Sequence, residues 1–317
     1  MITVAQGIAD PKAAGIISTA YSKKLNMVEW PKDLIADITS SAYFDEAGKG
    51  DKVTIPVEPI VEVRAYTEGA ARNPNRRIPA TQDITIDQAW DWDEVVGAGT
   101  KEFSYVDLLK TYSEGGMKSA RKYVHEQFFS WLEGKAADEN KGANAGKKTG
   151  GAASTGYNLG TESSPVKVNP TNIVANLLKF TAVLGEQDIE EGDIAVILPF
   201  QLRWLYLQSE LKAANVSGED TSKMVTGYMG RLDGREKFYA TNYATGAGTS
   251  SDPFCVFAMT KQAVAYTNRL TRTRLYEDAN WDVASQGLGI WGRGIIKDWA
   301  LCEAWFYVDE TYAPWAA

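Results

Sequence analysis

Between Val53 and Asp93 the chain reads as extended strands around a polar tip. Val53-Thr54-Ile55-Pro56-Val57 leaves a Gly50-Asp51 turn as a strand. From Ile60 onward, Ile60, Glu62, Arg64 and Tyr66 fall on one face; Val61, Val63 and Ala65 fall on the other. A polar tip from Glu68 to Arg77 separates this run from a return strand. There Ile84, Ile86 and Gln88 alternate with Thr85, Asp87 and Ala89. The pattern predicts a long two-stranded arm. A lone hairpin is marginal in water, so the arm is expected to lie on another surface.

The period then changes. Over 105–134 the residues Val106, Leu109, Met117, Ala120, Val124, Phe128 and Trp131 share one helical face. Ser104 with Asp107 resembles a capping box, and Lys122–Glu126 is an i,i+4 pair. Gly115-Gly116 predicts a bend or loose turn. Residues 134–166 are rich in Gly, Ala, Ser, Lys and Asn and read as a flexible insert, centred on Gly146–Gly151. Asn169-Pro170 opens a helix striped by Ile173, Leu177, Phe180 and Leu184. Ile194-Ala195-Val196-Ile197-Leu198 is apolar throughout, so it predicts a strand buried on both faces. Pro199 ends it, and a helix with Leu202, Leu205 and Leu211 follows.

Gly227, Gly230 and Gly234 mark turns before strands at 237–241 and 254–259. Longer strands are expected from there to Val308, carrying Trp281, Trp291, Trp299 and Trp305. Residues 1–45 hold too few large apolar side chains for a core and read as an extended arm. No repeat of roughly 20–50 residues occurs, which excludes a solenoid or propeller.

Composition adds limits. A chain of 317 residues makes one large domain or two interlocked ones. The 10 Trp and 15 Tyr exceed ordinary usage and point to a core, an interface or a sugar-binding surface. A net charge of −8 argues against a basic nucleic-acid binder. The first residues show no secretory pattern, and no apolar run spans a bilayer, so no membrane partner is expected. Cys255 and Cys302 are too few for a disulfide framework or thiolate metal site. The sequon Asn215-Val216-Ser217 has no use without secretion.

Candidate chemistry is sparse. His125, the single histidine, sits in the amphipathic helix beside Phe128 and Phe129 and reads as a packed structural residue. Gly287-Leu288-Gly289-Ile290-Trp291-Gly292 matches the dinucleotide fingerprint in letters, but that chemistry needs a helix to follow. Here the next residues look extended, so tightly packed strands or turns explain the glycines better. Asp188, Glu190, Glu191 and Asp193 lack the spacing of a calcium loop and read as a solvated turn. Paired carboxylates for hydrolysis stay open, because spatial pairing is invisible in sequence. No catalytic residue, cofactor or metal site is predicted. Arg72, Arg76 and Arg77 at the tip of the arm are either a solvated hairpin end or an inter-subunit contact binding carboxylates.

The order of these elements resembles the major capsid proteins of tailed phages, with the Hong-Kong-97-type (HK97-like) fold. Gly50–Val57 with the return strand at Ile84–Asp93 looks like that family's extended loop, and the 105–134 helix sits where its spine helix follows. Ile194–Pro199 with a helix after it resembles the strand-Pro-helix of the axial domain. Gly227 to Asn242 resembles the glycine-hairpin-Thr-Asn stretch that comes next. Lys261–Tyr266 and Gly294–Ala300 look like the closing region of the peripheral domain.

The resemblance implies an α+β fold in four parts. These are an N-terminal arm (1–45), an extended loop (46–95), a peripheral domain (96–168 and 260–317) and an axial domain (169–259). It also implies a non-enzymatic shell subunit forming hexamers and pentamers around double-stranded DNA, held without sequence specificity. Expected partners are further copies of the chain, scaffolding and portal proteins, and decoration proteins. The expected location is the virion, after assembly in the host cytoplasm. The family sometimes carries a long cleavable scaffolding segment; the short arm here implies a separate scaffolding protein or prior cleavage. An encapsulin-like nanocompartment shares the fold. A carbohydrate-binding or carbohydrate-acting protein is the alternative of another class.

Overall fold

Apolar run length and alternation decide most elements. The computed structural model describes residues 34–42, 52–57, 65, 68, 81–96, 108–147, 156–189, 192–209, 231–232, 235–243, 245–277 and 282–312. Two compact units divide them. The larger holds Asp33–Trp90, Arg121–Leu270 and Gly289–Ala317; the smaller holds Asp91–Ala120 and Thr271–Leu288.

The larger unit is built on a six-stranded sheet. Its strands are β3 (Val166–Val168), β4 (Ile194–Pro199), β5 (Arg231–Leu232), β6 (Glu236–Thr241), β7 (Phe254–Thr260) and β10 (Leu301–Val308), in the order β3-β10-β7-β4-β6-β5. The sheet is mixed: β4 runs parallel to β6 and antiparallel to β7, with Ile197 opposite Tyr239 and Phe257 respectively. Every residue of β4 is buried, as its unbroken apolar run requires. Helix α3 (Ile173–Glu186) lays Ile173, Leu177, Phe180 and Leu184 on this core, and Phe180 meets Phe306 of β10 at 6.2 Å between rings. Each such side chain contributes about 1.5–3 kcal/mol of burial. Helix α4 (Phe200–Leu207) follows Pro199 directly and buries Leu202, Leu205 and Tyr206.

A second sheet has the order β1-β2-β9-β8, from β1 (Lys52–Pro56), β2 (Thr81–Val96), β8 (Val264–Glu277) and β9 (Val283–Ile295). β1 pairs antiparallel with β2, Val53 opposite Ile84, and Lys52 reaches Asp83 at 2.6 Å. The expected arm is therefore not a lone hairpin over these residues. β2 also bonds β9, and Ile84 is buried with Ala265, Ile296, Val53 and Ile55. Alternation along β2 is as read: Ile84 and Trp90 are buried, while Thr85, Asp87 and Ala89 are exposed.

The structure changes several expectations. The segment 34–42 belongs to the chain's own fold rather than waiting for another surface. Helix α1 (Ile35–Ile38) buries both isoleucines completely, and Ser40 forms a parallel bridge to Ala265. Helix α2 (Leu108–Leu132) is helical straight through Gly115-Gly116, with no loose turn. The second glycine has a different purpose: a Cβ on Gly116 would stand 2.7 Å from the Trp92 indole. Met117, expected on the buried face, is 42% exposed. Asn169 does not open α3 itself. Its Oδ1 accepts N–H bonds from Thr171 and Asn172, and the helix starts at Ile173. Trp299 lies in a short 3-10 turn, not a strand.

The supposed flexible insert is anchored on both sides of 148–155. Ala145 and Leu159 are fully buried, and Ala145 bridges Tyr157. Asn140, also fully buried, donates from Nδ2 to the carbonyls of Trp299 (2.6 Å) and Leu301 (3.1 Å). The proposed helix cap at 104–107, Leu211, Trp281 and the sequon lie outside the described residues.

Candidate assembly surfaces

The smaller unit presents a three-stranded face from β2, β9 and β8. Successive strand residues point to opposite sides, so Asp91 and Asp93 of β2 share one side and Trp92 takes the other. On the Trp92 side packing is close. The indole lies over Gly287 of β9, where a Cβ would stand 2.1 Å away, and over Gly116 of α2. On the other side a polar ladder crosses the strands. Gln286 Nε2 donates to Asp93 Oδ2 at 2.6 Å, and Arg274 Nε donates to Gln286 Oε1 at 2.6 Å. Arg274 also stacks on Tyr276 at 5.2 Å. A depression of about 330 Å³ on this side is bordered by Asp91, Asp93, Arg272, Arg274, Gln286 and Leu288. Leu288 is 41% exposed. Among the described strands β8 is one edge of this sheet, and every residue from Asn268 to Glu277 is exposed.

In the larger unit the N-terminal segment is tied to α2. His125, 2% exposed, accepts the Leu34 N–H at Nε2 (3.2 Å), while Nδ1 contacts the Arg121 carbonyl at 2.8 Å. A carbonyl only accepts, so the proton sits on Nδ1 and Nε2 is the acceptor. Tyr243 covers the ring at 5.3 Å. His125 is thus a packed residue that orders an incoming strap.

Elsewhere on this unit a cleft of about 1070 Å³ carries both signs of charge, including Asp37, Asp188, Lys261 and Lys297, with Asp193 paired to Lys237. Asp188 adopts a left-handed backbone, φ 62°, at the turn after α3. Glu190 and Glu191 lie outside the described residues. No cluster of metal-ligating side chains occurs among the described residues. Phe200 (50%) and Trp204 (39%), one helical turn apart on α4, are exposed aromatics. Cys255 and Cys302 are buried thiols, and burial pushes both upward in pKa, so neither is poised as a nucleophile. Arg293 is stacked between Trp131 and Trp291 at 5.0 and 4.6 Å.

The dinucleotide-like glycines are strand residues inside β9, which runs on to Ile295 where the fingerprint would need an α-helix to begin. Gly287 and Gly289 make room for Trp92 and Trp90 respectively; Gly292 and Gly294 make room for Ile86 and Ile84. The inward side of β9 shifts from odd to even numbers between Gly289 and Gly292, as a bulge-type irregularity does. The predicted contact residues Arg72, Arg76 and Arg77 lie outside the described residues. The charged face of β2, β9 and β8 was missed. Alternate spacing of Asp91 and Asp93, and of Arg272 and Arg274, was the available signal.

No protein-family model matches the chain, and no curated protein matches it. Solved structures do. A structure from Mycobacterium phage Che8 is similar with TM-score 0.70 and 17% identity, covering 93% of this chain and 97% of that one. The capsid of the cyanophage P-SCSP1u gives 0.67 at 12% identity, covering 93% and 94%. The mature capsid of bacteriophage PhiM1 gives 0.67 at 12% identity, covering 93% of each chain. The chain therefore has the α+β fold of phage capsid structures, as its resemblance to that family implied. No described helix is long and apolar enough to cross a membrane.

Proposed function

We propose that the chain is a major capsid subunit of a tailed phage, with the Hong-Kong-97-type arrangement. The observation that carries this reading is likeness to phage capsid structures over 93% of the chain, matched by 93–97% of theirs. In this reading α2 is the spine helix, residues 46–95 the extended loop, and 1–45 the arm. The peripheral domain takes 96–165 with 261–300, and the axial domain 166–260 with 301–308, because β3 and β10 share the six-stranded sheet with β4, β6 and β7. The function is assembly, not catalysis: hexamers and pentamers close an icosahedral shell around double-stranded DNA. Scaffolding, portal and decoration proteins are the further partners, and the virion is the location. Large, multiply repeated contacts make such a shell stable although each contact is modest.

Negative-stain electron microscopy of the concentrated, purified chain, with mass from light scattering, tests this. Capsomer rings or closed shells are expected. A folded monomer at every concentration would refute it. Particles that enclose a protein cargo and no DNA during phage growth would favour the nanocompartment instead.

A further inference from the structure

We infer that the outer face of the smaller unit's sheet docks on the same face of a second copy, related by a two-fold axis parallel to β9. Three observations carry this. First, the opposite side of the sheet is filled by Trp92 against Gly287 and Gly116, whereas the outer side keeps Leu288 41% exposed at its centre. An apolar centre with a charged border is the anatomy of a protein interface. Second, the border is sorted by sign. Asp91 and Asp93 stand on β2, Arg272 and Arg274 on β8, with β9 between them. The two stripes are two strand spacings apart, roughly 9–10 Å. Third, Gln286 hydrogen-bonds Asp93 and Arg274 yet leaves both exposed, and no ion pair engages Asp91 or Arg272 among the described residues.

Charge placement selects the occupant and the symmetry. When two identical faces meet, a two-fold axis across the strands sets β2 on β2 and β8 on β8, which opposes like charges. An axis along β9 instead sets each acidic stripe on the partner's basic stripe, twice over. A two-fold contact uses the same patch on both copies, so one surface satisfies both sides. The inference rests on the shell reading for its supply of neighbouring copies.

The test uses two charge-reversed full-length chains. One carries R272E and R274E, so both its stripes are acidic; the other carries D91K and D93K, so both are basic. Each alone sets like charges against like across the axis. Particle yield should fall about tenfold or more for each, since like-charge juxtaposition costs several kcal/mol. Mixed in equal amounts, the two chains are complementary at both stripes, and assembly should return. A defect inside one chain is not repaired by mixing, so recovery separates pairing between copies from a structural role. Near-wild-type assembly of either variant alone overturns the inference. So does failure of the mixture, which would mean that another part of the chain or another partner occupies the face. The unaltered chain run alongside keeps the two readings apart: if it forms no particles, the shell reading fails; if it does and the mixture does not, only the two-fold contact fails.

Discussion

Replacing Gly289 with alanine adds one methyl group where an indole crosses the β9 backbone. Trp90, 7% exposed, lays its indole over Gly289, and a Cβ there would stand 2.1 Å from the ring carbon Cζ2. Carbon atoms settle at about 3.5–4.0 Å, so the ring must retreat by roughly 1.5 Å. The ring is held in place, because the indole Nε1, bonded to the Cε2 that lies against Gly289, donates to Asn268 Oδ1 of β8 at 3.0 Å. Forced overpacking costs about 1–3 kcal/mol. A buried N–H pulled off its acceptor costs about 1–3 kcal/mol more. Gly289→Ala should therefore destabilise the larger unit by about 2–6 kcal/mol. Urea unfolding of the full chain, followed by tryptophan fluorescence, reads this as a lowered midpoint at constant slope. The cause is checked by repeating the substitution in a Trp90→Leu background. With the ring removed, the added methyl has space, and the coupling between the two changes should reach about 1–3 kcal/mol. An unchanged midpoint for Gly289→Ala, or simple additivity with Trp90→Leu, would refute the argument that the glycine exists to seat the indole.

The neighbouring glycines of α2 should respond in opposite directions. Nothing lies within 4 Å of a Cβ at Gly115, so Gly115→Ala should stabilise by about 1 kcal/mol through helix propensity alone. Gly116→Ala drives its methyl into Trp92 and should lower the unfolding midpoint; equal effects would contradict the packing read here. His125→Phe removes the acceptor of the Leu34 N–H, so hydrogen exchange of the Leu34–Thr39 amides should quicken about tenfold or more. Unchanged exchange there would show that Ile35 and Ile38 hold the strap unaided. Glu303 is pushed up from its ordinary 4.5 chiefly by burial, against the Gly134 and Trp305 N–H groups that bond it. A raised carboxyl binds its proton more tightly in the folded state. Its contribution is full at low pH and is lost as pH rises through the folded value. The stability of Glu303→Gln relative to the parent should therefore increase from roughly pH 4 toward neutrality. A difference that stays constant with pH would dispose of this account.

What could be read in advance follows from how locally each element is determined. β4 needs only an apolar run short enough for a strand, and α3 only its stripe, so both were legible. β2 was legible as a strand because its alternation is strict. The strap at 34–42 was not: two isoleucines make no periodicity, and its position depends on His125 and Ala265, far along the chain. The insert beyond α2 misled through composition. Glycines and alanines dominate it, while what anchors it is the Asn140 side chain bridging two backbone carbonyls of residues 299 and 301.

The glycine fingerprint shows the deeper reason. Gly-x-Gly at 287–289 has two physical uses: it lets a phosphate approach a backbone, or it lets a large side chain cross one. Its counterpart is Trp-x-Trp at 90–92, with the same two-residue spacing. Trp92 takes Gly287 and Trp90 takes Gly289, and the numbers run in opposite directions, as antiparallel neighbours require. Both halves of this lock are in the sequence, nearly two hundred positions apart, and neither names its partner. The charged face has the same logic. Asp91 and Asp93 are set outward by the alternation that sends Trp90 and Trp92 inward onto the glycines. The seating of the tryptophans therefore also aims the acidic stripe, and an error in one should disturb the other.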